Sequence, residues 1–296
     1  MLLIFGFGYT GRAIARAALA AGIPVCAVSR TPERVAPEPG VRPGLRLVAF
    51  DEAEAEIAGA GQIIATAAPA EAADGAEDPV LARFAPAIAA ARSLRWLGYL
   101  SSTGVYGDRA GAWVDEETLP APRSPRAARR LRAEAAFAAY GTRLAVDVFR
   151  LAGIYGPARS VLDDLRQGTA RRVIKPGHVF SRIHRDDIAA GVLAAMRQNP
   201  PPGLRIFNFA DDLPAPSAEV VAEGARLLGM TPPMPVRFAD AAAAMSPMAL
   251  SFWAENRRVS NSRTLATLGL AWRYPTYREG LRAILAEEAA QRAGQQ

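Results

Sequence analysis

The stretch "LLIFGFGYTGR", residues 2 to 12, decides the fold that we predict for this chain of 296 residues. Its apolar beginning predicts a short buried strand, and Gly6, Gly8 and Gly11 follow in the spacing G-x-G-x-x-G. A pattern with helical spacing, "RAIARAALAAG", comes next, and "IPVCAVSR" (23–30) predicts a second strand. The stretch therefore opens a β-α-β unit, whose parallel strands need a right-handed helical crossover.

Each glycine of this turn has its own part in binding a dinucleotide. Gly6 permits the tight turn, Gly8 lets the backbone approach a pyrophosphate, and Gly11 lets helix and strand pack closely. The helix N-terminus adds partial positive charge. Tyr9 and Thr10 lie in the same turn and join the candidate cofactor-binding residues. The alternative interpretation is an ordinary glycine-rich turn between a strand and a helix.

The alternation of strands and helices continues through the first half of the chain. Strands are predicted at 45–51, 62–68, 95–102 and 144–151, and the longer helices at 79–93 and 125–141. This pattern predicts an α/β fold with a Rossmann-type doubly wound parallel sheet, which binds ligands at the carboxyl ends of its strands. We expect residues 1–157 and 182–210 to form this domain, and residues 158–181 and 211–296 to form a smaller, discontinuous α/β domain.

The end of the second predicted strand indicates which dinucleotide is bound. NAD-binding proteins carry an acidic residue there for the ribose hydroxyls, whereas this chain has Ser29 and Arg30. A guanidinium pairs well with a 2′-phosphate, so we expect NADP in preference to NAD. The alternative is that Arg30 is only a surface arginine. Asp51, which closes the third strand, is placed either to meet the adenine or to cap a loop.

Composition argues against several other classes of protein. With two histidines and the single cysteine Cys26, we expect no metal site and no intramolecular disulfide, which fits a reducing, cytoplasmic setting. The first residues lack the features of a signal peptide, and no apolar run reaches the 18 residues of a membrane span. The net charge of +6 comes from arginines spread along the chain, since Lys175 is the only lysine, so no nucleic-acid partner is expected.

Three further strings carry a family resemblance: "YLSSTGVYGD" (99–108), "FRLAGIYGP" (149–157) and "SRIHRDDIA" (181–189). With GFGYTGR, they resemble the extended short-chain dehydrogenase/reductase superfamily, in its NAD(P)-dependent epimerase/dehydratase-like branch. More narrowly, the chain is similar to atypical bacterial members that begin GFGYTG, and the resemblance runs from end to end. It implies a Rossmann fold with an NAD(P) cofactor. We also assign Ala67, Ala68 and Gly153 to the cofactor-binding site.

The resemblance implies catalytic positions that this chain fills in an unusual way. Ser102 matches the family's active-site serine, which hydrogen-bonds the reacting oxygen of the substrate. The family's acid/base tyrosine and its lysine belong to a Y-x-x-x-K motif, and Pro125 and Glu134 fix the register of that motif here. The tyrosine position is then Arg126 and the lysine position is Arg130. An arginine, with a pKa above 12, cannot shuttle protons at neutral pH, so the usual proton relay is missing.

Other side chains are candidates for supporting roles. Lys175 in "VIKPGHVFS" could donate a proton or bind an anion. The resemblance implies that His184 orders the turn that contains Asp186 and Asp187. Those two aspartates are expected to cap the following helix, and paired catalytic carboxylates are the alternative.

Arg126 and Arg130 are four residues apart, so they share one face of their helix. The resemblance places that face in the active cleft, which favours an anionic substrate, whereas the alternative is a solvated helix whose catalytic function has lapsed. Arg130 could also keep the lysine's bond to the nicotinamide ribose. The resemblance further implies that the helices at 79–93 and 125–141 could form a homodimer interface.

Two functions from different classes therefore stay open. The first is an NADP-dependent oxidoreductase or epimerase-like enzyme that acts on a small, polar, anionic substrate through a non-standard proton relay. The second is a dinucleotide-binding sensor or regulatory protein that has lost turnover. A shared fold does not decide between them.

Overall fold

The computed structural model of this protein describes residues 1–34, 44–69 and 78–293. The strands, in chain order, are β1 (Leu2–Phe5), β2 (Val25–Ser29), β3 (Leu45–Ala49), β4 (Gln62–Ala65), β5 (Trp96–Ser102), β6 (Trp113–Val114), β7 (Ala145–Leu151), β8 (Gly153–Tyr155), β9 (Arg172–Ile174), β10 (Arg182–His184), β11 (Gly203–Phe209), β12 (Pro235–Arg237) and β13 (Arg258–Val259). The helices are α1 (Tyr9–Ala20), α2 (Glu54–Ile57), α3 (Pro79–Ala90), α4 (Pro125–Ala138), α5 (Val161–Arg166), α6 (Arg185–Arg197), α7 (Ser217–Leu227), α8 (Phe238–Ala242), α9 (Pro247–Trp253), α10 (Ser262–Leu268) and α11 (Tyr277–Ala293).

The chain divides into two compact units that each gather several segments. The first unit consists of Met1–Val105, Pro125–Arg150 and Ile188–Phe207. The second unit consists of Tyr106–Ser124, Leu151–Asp187 and Asn208–Gln296.

A seven-stranded parallel sheet in the order β11-β7-β5-β4-β1-β2-β3 is the framework of the fold. Its strands are short apolar runs, as expected for a sheet that is covered on both faces. Ile4 of β1 pairs in parallel with Ala27 of β2 on one side and Ile64 of β4 on the other. The chain thus leaves β1 at the point where the strand order reverses, which is where Rossmann-type folds bind ligands. The predicted fold class is confirmed.

Aromatic contacts fill the core between the sheet and its helices. Phe84 of α3 packs against Phe5 and Phe50, with ring centroids 5.3 Å and 5.1 Å apart. Tyr99 of β5 stacks on Phe137 of α4 at 4.6 Å. These contacts bury large apolar surfaces and hold α3 and α4 against the sheet.

The second unit has a core of its own, formed by β8, α5, α7 and α11. Two glycines allow close approach there. A Cβ on Gly224 of α7 would lie 2.8 Å from Val161 Cγ1. A Cβ on Gly280 of α11 would lie 2.1 Å from the hydroxyl oxygen of Tyr155. At both positions an added Cβ would force a neighbouring side chain to shift.

The unit boundaries differ from the predicted domain boundaries. Residues 106–124, 151–157, 182–187 and 208–210 lie in the second unit, whereas the sequence predicts them in the first domain. The physical reason is strand pairing, because β6 pairs with β13 and β8 pairs with β10. Sequence periodicity does not reveal such short strands, which are two or three residues long.

The segment between residues 172 and 184 contains two separate strands, β9 and β10. β9 pairs with the Pro-rich β12, whose residues are exposed. Among the helices that the structure describes, none combines the length and apolar character that a bilayer crossing requires.

Candidate cofactor and active site

Hydrogen bonds hold the glycine turn after β1 to the ends of β2 and β4. Gly6 has a φ of +101°, a conformation that favours glycine, and its N–H donates to Val28 O at 3.1 Å. The hydroxyl of Thr66, just past β4, donates to Gly6 O at 2.7 Å and to Phe5 O at 3.1 Å. A Cβ on Gly6 would lie only 2.6 Å from this hydroxyl oxygen. Sequence analysis missed Thr66, whose only signal was a polar residue at the end of an apolar strand.

Gly8 and Gly11 differ from each other in what surrounds them. A Cβ on Gly11 would lie 2.1 Å from Gly6 O, so a side chain at this position would push α1 away from the turn. A Cβ on Gly8 would meet no described atom within 4 Å, and Gly8 has an ordinary φ of −88°.

The open space at Gly8 lies at the N-terminus of α1, whose N-cap residue is Gly8 itself and therefore has no side chain to cap the helix. Tyr9 and Thr10 form the first turn of α1 and are partly exposed. A helix N-terminus with backbone close to open space is suited to an anionic pyrophosphate. The residues present therefore fit a dinucleotide.

The carboxyl ends of β2 and β3 carry the other predicted cofactor residues. Ser29 pairs with Ala49 across the two strands, and its hydroxyl accepts a hydrogen bond from Thr31 N at 3.2 Å. Arg30 follows directly and is exposed. Asp51 is also exposed and lies inside the short 3-10 turn after β3, whose N-cap is Ala49. Ser29, Arg30 and Asp51 thus lie at the same edge of the sheet.

Arg130 connects α4 to the loop after β4 and to β5. Its Nη1 donates to Leu100 O at 2.6 Å, to the Tyr99 hydroxyl at 3.1 Å and to Ala67 O at 3.4 Å. Ala68 follows Ala67 and is exposed. The structure therefore places the Arg130 guanidinium beside Ala67, one of the residues predicted to bind the cofactor.

Ser102 is the last residue of β5, two residues beyond the carbonyl that Arg130 contacts. Its hydroxyl oxygen accepts a hydrogen bond from Gly104 N at 3.1 Å. Arg126 lies in the first turn of α4 and is exposed. Both are partly or fully accessible, as residues that touch a substrate must be.

Tyr99 forms a phenol–cation pair with Arg130, and this pair resembles the missing Tyr-x-x-x-Lys pair in chemistry only. Tyr99 is fully buried, and this burial raises the pKa of its phenol above the ordinary value. A buried phenol that stays protonated cannot exchange protons with a substrate. Tyr99 is thus a structural residue.

A buried ion pair sets the position of α4. The Glu134 carboxylate accepts a hydrogen bond from Arg150 Nη2 on β7 at 2.8 Å and another from the Ser101 hydroxyl on β5 at 2.5 Å. Glu134 and Arg150 are both at most 5% exposed. These bonds anchor the helix that carries Arg126 and Arg130. In the sequence, Glu134 only marks the register of the motif, so its role as an anchor of α4 was not predicted.

Two predicted site residues, Lys175 and Gly153, belong to the second unit. The Lys175 ammonium donates to Trp253 O and lies 4.6 Å from the centroid of the Phe238 ring, within cation–π range. Gly153 begins β8, and its N–H donates to Ser181 O at 3.1 Å.

His184 bonds to the turn that contains Asp186 and Asp187, as the resemblance implied. The expectation that these two aspartates cap the next helix is wrong, because both lie inside its first turn. His184 Nδ1 accepts a hydrogen bond from Asp186 N at 3.2 Å, and burial lowers the pKa of His184 to about 4. Asp187 lies inside the first turn of α6 and accepts bonds from the backbone N–H groups of Arg273 and Tyr274 at 2.8 Å and 3.1 Å. Burial raises the pKa of Asp187 to about 6. This aspartate therefore anchors the segment before α11.

Within the described ranges, no cluster of three His, Cys, Asp or Glu side chains is arranged to hold a metal ion.

Comparison with known proteins identifies several relatives. The 3-diazoavenalumate denitrifying reductase of Streptomyces sp is 30% identical over 147 residues, which are 45% of each chain, so this chain matches less than half of that reductase. A solved structure of a functionally unknown conserved protein from Silicibacter pomeroyi DSS is 42% identical, covers 97% of this chain and 98% of its own, and has a TM-score of 0.86. The human epimerase family protein SDR39U1 (isoform 2), solved with NADPH, is 20% identical over 96% of this chain and 99% of its own, with a TM-score of 0.74, and it shows the fold alone.

A model of the NAD dependent epimerase/dehydratase family matches residues 2–210. This range includes the glycine turn, Ser102 and α4. Because it covers well over half of the chain, this protein belongs to the NAD dependent epimerase/dehydratase family.

Proposed function

We propose that this protein binds NADP in preference to NAD and is an oxidoreductase or epimerase-like enzyme that acts on a small, polar, anionic substrate. The glycine turn carries the proposal, because the backbone at Gly8 faces open space at a helix N-terminus. Structural neighbours solved with NADPH or with NAD support a nicotinamide dinucleotide. The exposed Arg30 beside Ser29, with no carboxylate at the end of β2, supports NADP.

Substrate positioning is assigned to Ser102. Its hydroxyl oxygen accepts a bond from Gly104 N, so its own proton can be donated to a substrate oxygen. The exposed Arg126 adds positive charge that favours a carboxylate or phosphate group on the substrate.

The proton relay must differ from the family's usual one. A bound nicotinamide dinucleotide would supply a hydride to a carbonyl carbon, and the carbonyl oxygen then needs a proton. An arginine side chain does not act as a proton donor at neutral pH, and Tyr99 is buried, so Arg126, Arg130 and Tyr99 cannot provide this proton. We assign proton donation to Lys175, whose ammonium has three N–H groups and gives one to Trp253 O.

A second candidate function is that of a dinucleotide-binding sensor without turnover. The bonding of Arg130 favours it, because its Nη1 is committed to three groups of the protein. An arginine held in this way stabilises the fold around the cofactor loop and needs no substrate.

Titration of the purified protein with NADPH and with NADH tests both candidates. Binding is followed by thermal shift and by quenching of the four tryptophans, and nicotinamide absorbance is recorded as carbonyl-bearing carboxylates, phosphates and sugar nucleotides are added. Tight NADPH binding with substrate-dependent oxidation supports the enzyme, and Lys175→Met should then lower kcat without changing NADPH affinity. Tight NADPH binding without oxidation by any of these candidate substrates supports the sensor. Absence of binding to either nucleotide would contradict both.

A further inference from the structure

A cavity of about 230 Å³ lies inside the second unit and contains none of the residues assigned to the cofactor or to catalysis. It is bordered by α5, α7, α11, β10 and the loop before β9. Its apolar wall includes Val161, Val220 and Leu281. Two of its lining residues, Val161 and Tyr155, are also the residues that Gly224 and Gly280 approach closely.

Two arginines give the cavity a positive side. Arg182 Nη1 donates to Phe180 O at 2.8 Å and to Ala215 O at 3.1 Å, which fixes the plane of the guanidinium. Among the described residues, no carboxylate lies within ion-pair distance of Arg182. Burial lowers the pKa of this group, and the Asp211 carboxyl group, beyond ion-pair distance, opposes that change. Arg171 lines the same cavity and is exposed. An anion here would offset the cost of holding the Arg182 charge away from water.

A carboxyl group in the cavity lining determines which class of anion the cavity favours. Asp164 of α5 also faces the cavity, and burial raises the pKa of its carboxyl group. A doubly charged phosphate would meet greater repulsion from this carboxylate than a singly charged group would. A carboxylate also matches the planar guanidinium of Arg182.

We propose that this cavity binds a small organic monocarboxylate with an apolar body. The carboxylate pairs with Arg182 and Arg171, and the apolar body contacts Val161, Val220 and Leu281. A volume of about 230 Å³ is below the roughly 300–1,000 Å³ of sites for drug-sized ligands, so a compact molecule such as benzoate is a suitable probe. The site is independent of the proposed cofactor site.

Isothermal titration of the full chain with benzoate, benzyl alcohol and inorganic phosphate tests the proposal. Benzoate should bind saturably with one equivalent, and benzyl alcohol and phosphate should each bind about tenfold more weakly or not at all. Equal affinity for benzyl alcohol would show that the arginines are not used. Tighter binding of phosphate than of benzoate would contradict the carboxylate assignment.

Three variants locate the binding. Ala170→Leu and Ser217→Leu each fill the cavity from a different side, and Arg171→Gln removes a lining charge. Each should weaken benzoate about tenfold, after circular dichroism confirms folding. The matched control is Arg226→Gln on α7, because Arg226 is exposed, pairs with Glu223 and does not line the cavity. If Arg226→Gln weakens benzoate as much as Arg171→Gln, or if both leucine variants bind normally, the proposed site is wrong.

Adding NADPH separates this proposal from the proposed function. Benzoate should bind with the same affinity with or without NADPH, and also in the Gly8→Val variant. A loss of benzoate binding in Gly8→Val would contradict an independent site, whereas failure of NADPH to bind would leave the benzoate result unchanged.

Discussion

At the scale of single residues, the three glycines of one motif are required for three different physical reasons. Gly6 has a backbone conformation that disfavours side chains, Gly11 has no room for a Cβ, and Gly8 has both an ordinary conformation and open space. Within the described residues, nothing in the protein itself requires a glycine at position 8, which fits the proposed nucleotide contact. This difference separates the requirements of folding from those of binding.

The first prediction follows from that difference. Gly8→Val should leave the melting temperature within about 2 °C of wild type and weaken NADPH binding more than about tenfold, because the new side chain fills the ligand's space. Gly11→Val should destabilise the protein by about 3 kcal/mol or more, because its Cβ meets Gly6 O. Thermal unfolding and fluorescence titration of both variants check this. Normal NADPH affinity in a folded Gly8→Val protein would contradict the assigned pyrophosphate position.

Arg30 is the residue on which the expected nucleotide preference depends. Arg30→Asp should weaken NADPH relative to NADH by about tenfold or more, because a carboxylate repels the 2′-phosphate and accepts the ribose hydroxyls of NADH. Fluorescence titration with both nucleotides measures the ratio. The control is Arg34→Asp, a change of the same charge at another exposed arginine near the end of β2. An unchanged ratio in Arg30→Asp would overturn the preference for NADP.

The positions of Arg126 and Arg130 allow a direct test of the lost proton relay. The double variant Arg126→Tyr with Arg130→Lys should not create robust turnover on common nucleotide sugars, although it places the two residues of the family's motif in register. The physical reason is that a relay also needs a bound substrate with its reacting oxygen at Ser102. Steady-state assays measure this, and vigorous turnover by the double variant would refute it.

At the scale of elements, the positions of helices are decided by a few contacts between residues far apart in sequence. The helix α4 is anchored by the bonds from Arg150 and Ser101 to Glu134. Breaking such a buried pair by removing one partner typically costs about 3–5 kcal/mol. In the second unit, the corresponding determinants are the close contacts at Gly224 and Gly280.

Gly280 provides the prediction at this scale. Gly280→Ala should destabilise the protein by about 1–3 kcal/mol, because its Cβ would lie 2.1 Å from the Tyr155 hydroxyl oxygen. Tyr155→Phe removes that oxygen, so the double variant should recover part of the loss. Chemical denaturation of the four proteins of this cycle gives the coupling energy. Additive effects of the two changes would contradict the predicted clash between this Cβ and the Tyr155 hydroxyl oxygen, since the ring carbons at 2.7 Å remain in Tyr155→Phe.

At the scale of the whole molecule, several titratable side chains in the second unit are buried, and their shifted pKa values make the free energy of unfolding depend on pH. Asp211 is 1% exposed, and burial raises its pKa from 3.8 to about 8. His184 has a pKa lowered to about 4, and Asp187 has a pKa raised to about 6. Above about pH 6.5 both differences fade, that of His184 ending near pH 7.5, and the Asp211 difference is the largest of the three.

Between about pH 6.5 and 8, the folded protein keeps the Asp211 proton that the unfolded chain has lost. The free energy of unfolding should therefore fall as the pH rises, by at most about 1.4 kcal/mol per pH unit, and the decline should end above the folded pKa. Asp211→Asn should flatten this decline, whereas Asp240→Asn, at an exposed position in α8, should not. Denaturation at several pH values checks this, and an unchanged slope in Asp211→Asn would contradict the raised pKa.

The sequence by itself determined the features that depend on neighbours along the chain. The apolar run, the glycine spacing and the helical pattern of residues 2–22 act within one β-α-β unit, so the Rossmann-type fold and the nucleotide-binding turn were predictable. The assignment of Arg126 and Arg130 to the tyrosine and lysine positions also comes from the sequence and stays a prediction, because a motif register needs no tertiary information.

Only the tertiary structure decided which residues meet across long sequence separations. The bond from Thr66 to Gly6, the pair of Glu134 and Arg150, and the bonds from Arg130 to β5 join segments that no local pattern relates. The same is true of the short strands that extend the second unit and of the cavity beside Arg182. The physical reason is that hydrophobic periodicity reports which face of an element is buried, whereas it does not report which element buries it.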